Sequence, residues 1–131
     1  TGEIWDRADH VVIAAPATAE TGALVGAAEL ERLGPSGWVV NIARGSLVDT
    51  GALVAALEAG TIGGAALDVT DPEPLPEDHP LWRQPRAVIT PHVANPPQLQ
   101  RPALLRRIED NVRRRARGEE LLGPVDVAAG Y

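Results

Sequence analysis

The chain contains no cysteine, so disulfides, thiolate metal sites and thiol nucleophiles are all excluded. Methionine and phenylalanine are also missing, and aromatic residues make up only 3%. The core must therefore come from Ala, Val, Leu and Ile. No apolar run approaches the roughly 20 residues of a membrane helix, and no basic start with a short apolar stretch marks a secretory signal. The expectation is no membrane partner and a cytoplasmic location. A surplus of positive charge is lacking too: the net charge of -6 argues against a nucleic-acid partner for the chain as a whole. The remaining composition, 44% apolar and 23% charged over 131 residues, suits one globular domain or a substantial piece of one. A chain that opens at Thr1, holds no Met and reaches a strand pattern by residue 10 is expected to be a piece of a longer protein.

Short apolar runs alternate with helical patterns. Residues 10–15, 38–43, 64–69 and 87–90 read as strands, stopped by Pro16 and Pro91 at the ends of the first and last. Residues 24–33 carry apolar positions near helical spacing and end at Gly34-Pro35. Asp49 is placed to cap a helix over 53–59 that Gly60 ends. The small residues of the third strand suggest a helix packed closely on it. The last helix is expected over 99–118, its stripe formed by Leu104, Leu105, Ile108, Val112 and Ala116. Strands alternating with helices through short connections indicate an α/β fold of parallel units, with helices on both faces of the sheet. Ligand sites in such sheets form beyond the carboxyl ends of the strands, which directs attention to Pro16, Thr18, the residues from Asn41 to Arg44, Asp68 and His92.

Arg44 follows a strand and precedes Gly45, which permits a tight turn there. Its guanidinium fork suits a carboxylate held by two parallel hydrogen bonds, and pairing with a neighbouring acid is the bland alternative. His92, between Pro91 and Val93, is suited to proton transfer near neutral pH, yet a lone strand-end histidine more often bonds to backbone. Glu73 is flanked by Pro72 and Pro74, which stiffen the loop over residues 71–80. A carboxylate reaching His92 would orient the ring and favour its charged form. Asp68 closes an apolar strand, where a charge requires a partner. His10 and His79 read as structural, and no metal site is expected. The Arg run of the last helix (106, 107, 113, 114, 115, 117) alternates with acids and reads as a solvated face rather than a nucleic-acid patch.

The order of these signals carries more than any one of them. The run from Ala8-Asp9-His10 through Ala15-Pro16-Ala17-Thr18 to Thr21, and Trp38-Val39-Val40-Asn41-Ile42-Ala43-Arg44-Gly45-Ser46-Leu47-Val48-Asp49, resemble segments of the D-isomer-specific 2-hydroxyacid dehydrogenases. Ala66-Leu67-Asp68-Val69, Glu73-Pro74-Leu75-Pro76 and Thr90-Pro91-His92 continue the likeness, and Gly118-Glu119, Val125-Asp126 and Gly130-Tyr131 resemble the family's ending. The resemblance implies the second half of a Rossmann-type parallel sheet with flanking helices, an incomplete domain. Residues 1–98 would be the carboxyl-terminal half of the NAD(P)-binding domain, and 99–131 a helix and tail returning toward a substrate domain. It further implies Arg44 as substrate anchor, His92 as proton donor and Glu73 as its supporting acid. Ala15, Pro16, Ile42, Ala43, Arg44, Asp68, His92 and Ala94 would line NAD or NADP, with Asp68 on the nicotinamide carboxamide. The implied substrate is a small 2-oxo or 2-hydroxy acid such as glyoxylate or hydroxypyruvate, and the implied assembly a homodimer. Ala14 stands where many members carry His, and Asn95 where a small residue is usual. Glu73 separates the chain from the family's formate dehydrogenases, which carry Gln there. No Gly-x-Gly-x-x-Gly run is present to cradle a pyrophosphate, so the chain alone is expected to turn over negligibly. A silent corepressor-like or interaction module of the same family would share these residues, and both readings stay open.

Overall fold

The computed structural model describes residues 2–128, so Gly130 and Tyr131 lie outside the described residues. The chain divides into two compact units, Thr1–His92 and Val93–Tyr131. In the first, β1 (His10–Ile13), β2 (Trp38–Asn41), β3 (Gly64–Leu67) and β4 (Ala87–Ile89) form one parallel sheet in the order β1-β2-β3-β4. The strands close slightly before the expected ends. At β2 the cause is visible: the Asn41 side chain takes the Ala43 amide and draws the backbone out of the ladder.

Register matters more than length. Ile13, Asn41, Leu67 and Ile89 are partners across neighbouring strands, so all four strands finish level along one rim. The segments after that rim carry residues 15–16, 42–44, 68 and 92.

Two helices connect the strands. α2 (Ala27–Leu33) begins later than the expected residue 24, because Val25 bridges Val48 and extended Gly26 receives the Glu29 carboxylate on its amide at 3.1 Å. α3 (Thr50–Ala59) is bounded as its sequence requires. Asp49 accepts from the Ala52 amide at 2.9 Å, and Gly60 closes the helix at φ 73°, a left-handed conformation open to glycine. A short helix, α1 (Gly2–Arg7), was not expected from the sequence. It buries Trp5 and joins α2 through a two-pronged Asp6–Arg32 pair at 2.8 and 2.5 Å. The hydrogen bond from Arg32 holds the Asp6 carboxyl below its ordinary value.

α2 and α3 contact each other and share one core with the same face of the sheet. Ile13, Val39, Ala65 and Leu67 point into that side and share the core with Leu30, Leu33, Leu53 and Leu57. Burial of each such leucine stabilises by about 1.5–3 kcal/mol. On the opposite face Val12 and Val88 remain 57% and 54% exposed. Of the small residues of β3, Ala65 is buried in the core that holds the α2 and α3 leucines, as expected, whereas Gly64 has another reason. A methyl on Gly64 would meet the Trp38 ring at 2.6 Å, so the glycine seats an indole and not a helix.

The second unit is built on α4 (Pro97–Ala116), which tolerates Pro102 inside it and buries none of its residues. Its expected stripe is exposed: Leu104, Leu105, Ile108 and Val112 all face solvent within this unit. Arg113 pairs with Glu109 and Asp110, and Arg114 and Arg117 with Glu119. Beyond the helix, the Asn111 carboxamide binds both backbone groups of Leu122, at 2.8 and 3.2 Å, and folds the tail back. Among the described residues, no helix is long and apolar enough to cross a membrane.

Candidate active site

The rim is assembled from backbone outward. Asp68 directly follows β3, and its amide continues the ladder to Asn41 O at 2.9 Å, which fixes the start of the side chain. The residue is only 6% exposed, and its Oδ1 accepts the Thr90 hydroxyl in a short hydrogen bond. That bond supplies a partner which a buried charge at a strand end requires.

His92 follows β4 after Thr90 and Pro91. Its backbone lies at φ 54°, left-handed space that a non-glycine residue enters at some cost, and its amide donates to Thr90 O at 3.0 Å. This fold of the chain turns the ring toward Glu73. The Nδ1–Oε1 distance is 2.7 Å, with the two side chains 50% and 42% exposed. A carboxylate has no proton to give, so Nδ1 is the donor and Nε2 is the nitrogen left for other chemistry. Asp68, Glu73, His92, Thr90 and Trp82 line one shallow pocket of 270 Å³ with a largely apolar wall.

Arg44 stands after β2, two strands from His92. At the usual strand spacing that places their strand ends about 10 Å apart. The guanidinium makes no ion pair among the described residues, and its Nη1 donates to Ala43 O at 2.6 Å. Asn41 secures the turn from beneath. Fully buried, it donates from Nδ2 to Arg44 O at 2.8 Å and accepts from the Ala43 amide at 3.0 Å. The chain turns tightly at Gly45, into a 3-10 turn over Gly45–Leu47, and the glycine has a further reason. Its backbone is not left-handed; instead, a methyl there would overlap the Thr70 carbonyl and approach the Asp71 amide to 2.6 Å. The Arg44 turn and the Glu73 loop thus lie backbone against backbone.

Ala15 and Pro16 occupy the end of β1, Ile42 and Ala43 the end of β2, and all four are small or apolar and at least partly exposed. Ala94 belongs to the second unit. His79 accepts from the Leu81 amide at 3.3 Å, as a structural residue would, and His10 is exposed at the start of β1. Asn41, Thr50, Thr90 and Trp82 are site residues to which the sequence assigned no role. Asn41 alone carried a local signal, a carboxamide closing an apolar run.

A level rim of parallel strand ends, bearing an acid–imidazole pair and a guanidinium without an acid partner among the described residues, defines an α/β domain of the kind that binds ligands at its strand ends. The chain belongs to the D-isomer specific 2-hydroxyacid dehydrogenases: residues 1–94 match the model of that family's NAD binding domain. It is 46% identical over 128 residues to an uncharacterized protein in the proB 3′ region of Corynebacterium melassecola, covering 98% of this chain and 42% of that one. It is 41% identical over 117 residues to glyoxylate/hydroxypyruvate reductase A of Salmonella paratyphi B, covering 88% and 36%. Among solved structures, the D-isomer specific 2-hydroxyacid dehydrogenase of Xanthobacter autotrophicus Py2, in complex with NADPH and MES, superposes with a TM-score of 0.87 at 39% identity, covering 99% of this chain and 53% of that one. An NADPH-dependent glyoxylate/hydroxypyruvate reductase of Sinorhizobium meliloti, in complex with NADP and sulfate, gives 0.89 at 30% identity, covering 99% and 42%. The chain spans about two fifths of the length of the curated relatives it matches.

Proposed function

We propose that these residues supply the proton-transfer and substrate-anchoring half of an NAD(P)-dependent oxidoreductase acting on a small 2-oxo or 2-hydroxy acid, glyoxylate or hydroxypyruvate being the favoured class. The observation that carries this reading is the 2.7 Å contact of His92 Nδ1 with Glu73 on the rim. It leaves Nε2 as the atom that moves a proton.

The residues present fit the nicotinamide end of a dinucleotide. Ala15, Pro16, Ile42 and Ala43 offer small apolar surface at two strand ends, and the buried Asp68 carboxylate is a fixed acceptor for a carboxamide. Ala94 is assigned to the same lining. When bound, the cofactor supplies or takes up the hydride. Arg44 grips the substrate carboxylate and polarises the adjacent carbonyl. Charged His92 gives its Nε2 proton to the carbonyl oxygen as the carbon receives hydride, leaving a 2-hydroxy acid and a neutral ring. In reverse, neutral His92 takes the hydroxyl proton. Glu73 holds the ring in the orientation both directions need.

Residues 1–98 are assigned to the carboxyl-terminal half of the NAD(P)-binding domain and 99–131 to a helix and tail leading toward a substrate domain, in a protein that acts as a homodimer. Because no glycine-rich pyrophosphate loop occurs in these residues, the 131-residue chain alone should show negligible turnover with NADH or NADPH and either acid. The decisive test replaces the matching segment of the Salmonella reductase with this chain. The chimaera should reduce glyoxylate or hydroxypyruvate, and His92→Ala should lower the rate about 10²–10⁴-fold. A folded chimaera whose activity ignores His92→Ala and Arg44→Ala would refute the assignment.

A further inference from the structure

We infer that Thr50 and Trp82 are positioning residues that hold Glu73 against His92, an assignment that rests on the proton-transfer reading above. Glu73 is half exposed, and among the described residues its side chain's polar contact is His92 itself. What aims the carboxylate must therefore be the backbone on either side of it. That backbone is poor in means of its own. Within residues 71–76, Pro72, Pro74 and Pro76 have no N–H, so the loop cannot build a ladder and its carbonyls look outward for donors.

Side chains supply those donors at both ends. Upstream, Thr50 Oγ1 donates to Asp71 O at 2.7 Å and Thr70 Oγ1 to Pro72 O at 3.0 Å. Downstream, Trp82 Nε1 donates to Pro76 O at 2.8 Å, beside the His79 amide at 3.1 Å on the same carbonyl. Neither anchor is itself loose. Thr50 is the first residue of α3, whose Leu53 and Leu57 are buried; Trp82 lies in a 3-10 turn, Pro80–Arg83, whose Leu81 is buried. Two core-bonded elements thus clamp a proline-rich loop from opposite ends, with Glu73 between the clamps. Movement of about 1 Å at either end would take these bonds out of range and let the carboxylate leave Nδ1.

The ring records whether it does. With Glu73 in place the neutral imidazole must carry its proton on Nδ1; without it, Nε2 competes for the proton. Imidazole nitrogen NMR on the labelled 131-residue chain, at a pH where the rings are neutral, reads that ratio for His92. The wild type should show the Nδ1–H form. Thr50→Val and Trp82→Phe should each shift it toward a mixture containing Nε2–H, Thr50→Ser should restore it, and the backbone spectra of both variants should remain folded. A purely structural role would change stability without moving the tautomer. If Thr50→Val unfolds the chain, Trp82→Phe decides, since it keeps a ring and removes only the donor. A wild type already in the Nε2–H form would overturn both this inference and the proton-transfer reading. An Nδ1–H wild type with a folded Trp82→Phe left unchanged would overturn the inference alone.

Discussion

Asn41→Asp is nearly isosteric, yet it should be among the most damaging changes in the sheet. The native carboxamide is fully buried and uses both ends, donating to Arg44 O at 2.8 Å and accepting from the Ala43 amide at 3.0 Å. A carboxylate keeps the second bond and loses the first, so that two acceptors face each other at a position closed to solvent. Losing the bond costs about 1 kcal/mol, and leaving the Arg44 carbonyl opposite a buried charge adds about 2 kcal/mol. For a chain of this size, the resulting ~3 kcal/mol should lower Tm by about 10 °C at pH 7. The sign of the pH dependence is fixed by burial. The new carboxyl has a folded pKa above its unfolded value of about 3.9, so the penalty is complete above the folded pKa and shrinks as pH falls toward the unfolded one. A protonated carboxyl can donate to Arg44 O again. Thermal melts of both proteins between pH 7 and 4.5 would measure this. A drop under about 3 °C at pH 7, or a difference that does not narrow on acidification, would refute the account of the Arg44 turn.

Gly45→Ala should lower Tm because the added methyl meets the Thr70 and Asp71 backbone, which cannot yield as a side chain would; overpacking of this kind costs about 1–3 kcal/mol. Gly22→Ala is the matched control, with nothing within 4 Å of the added methyl, and should leave Tm unchanged or slightly raised; equal effects from the two melts would remove the close-approach argument. Asp6→Asn should destabilise slightly at pH 7 and low salt. The Arg32 hydrogen bond holds the Asp6 carboxyl below its ordinary 3.8, so the contribution is present above that value and disappears as pH falls through the folded one. Urea midpoints of the two chains should draw together as pH falls below 3.8 and meet only below the folded value, and a gap that does not narrow on acidification would contradict the pairing.

Much of the fold was legible locally. The four apolar runs, the Asp49 cap and the Gly60 stop are short-range signals, and each acts through its own neighbours in the chain. The misreadings have a common cause. The late start of α2 depends on Val25 bridging Val48, a partner far along the chain, and α1 is held by Trp5 burial and an ion pair to α2. The sequence showed the turn at Gly45 but not the close approach that demands glycine there, and at Gly64 it did not show the ring, because each is dictated by a group that arrives from elsewhere, a Thr70 carbonyl and a Trp38 ring.

The amino-acid order determined which side chains were available for chemistry and that they follow strands: Arg44, Asp68, Glu73 and His92 sit beside the prolines and glycines that end those runs. Only the folded sheet decided that the strands finish level, that Glu73 turns to His92 Nδ1 at 2.7 Å while Arg44 stays apart, and that Thr50 and Trp82 hold the loop between them. The reason is physical. Backbone preference and apolar period act over a few neighbouring residues, whereas register, close approach and a hydrogen bond between distant side chains exist only after the sheet has closed its hydrophobic face.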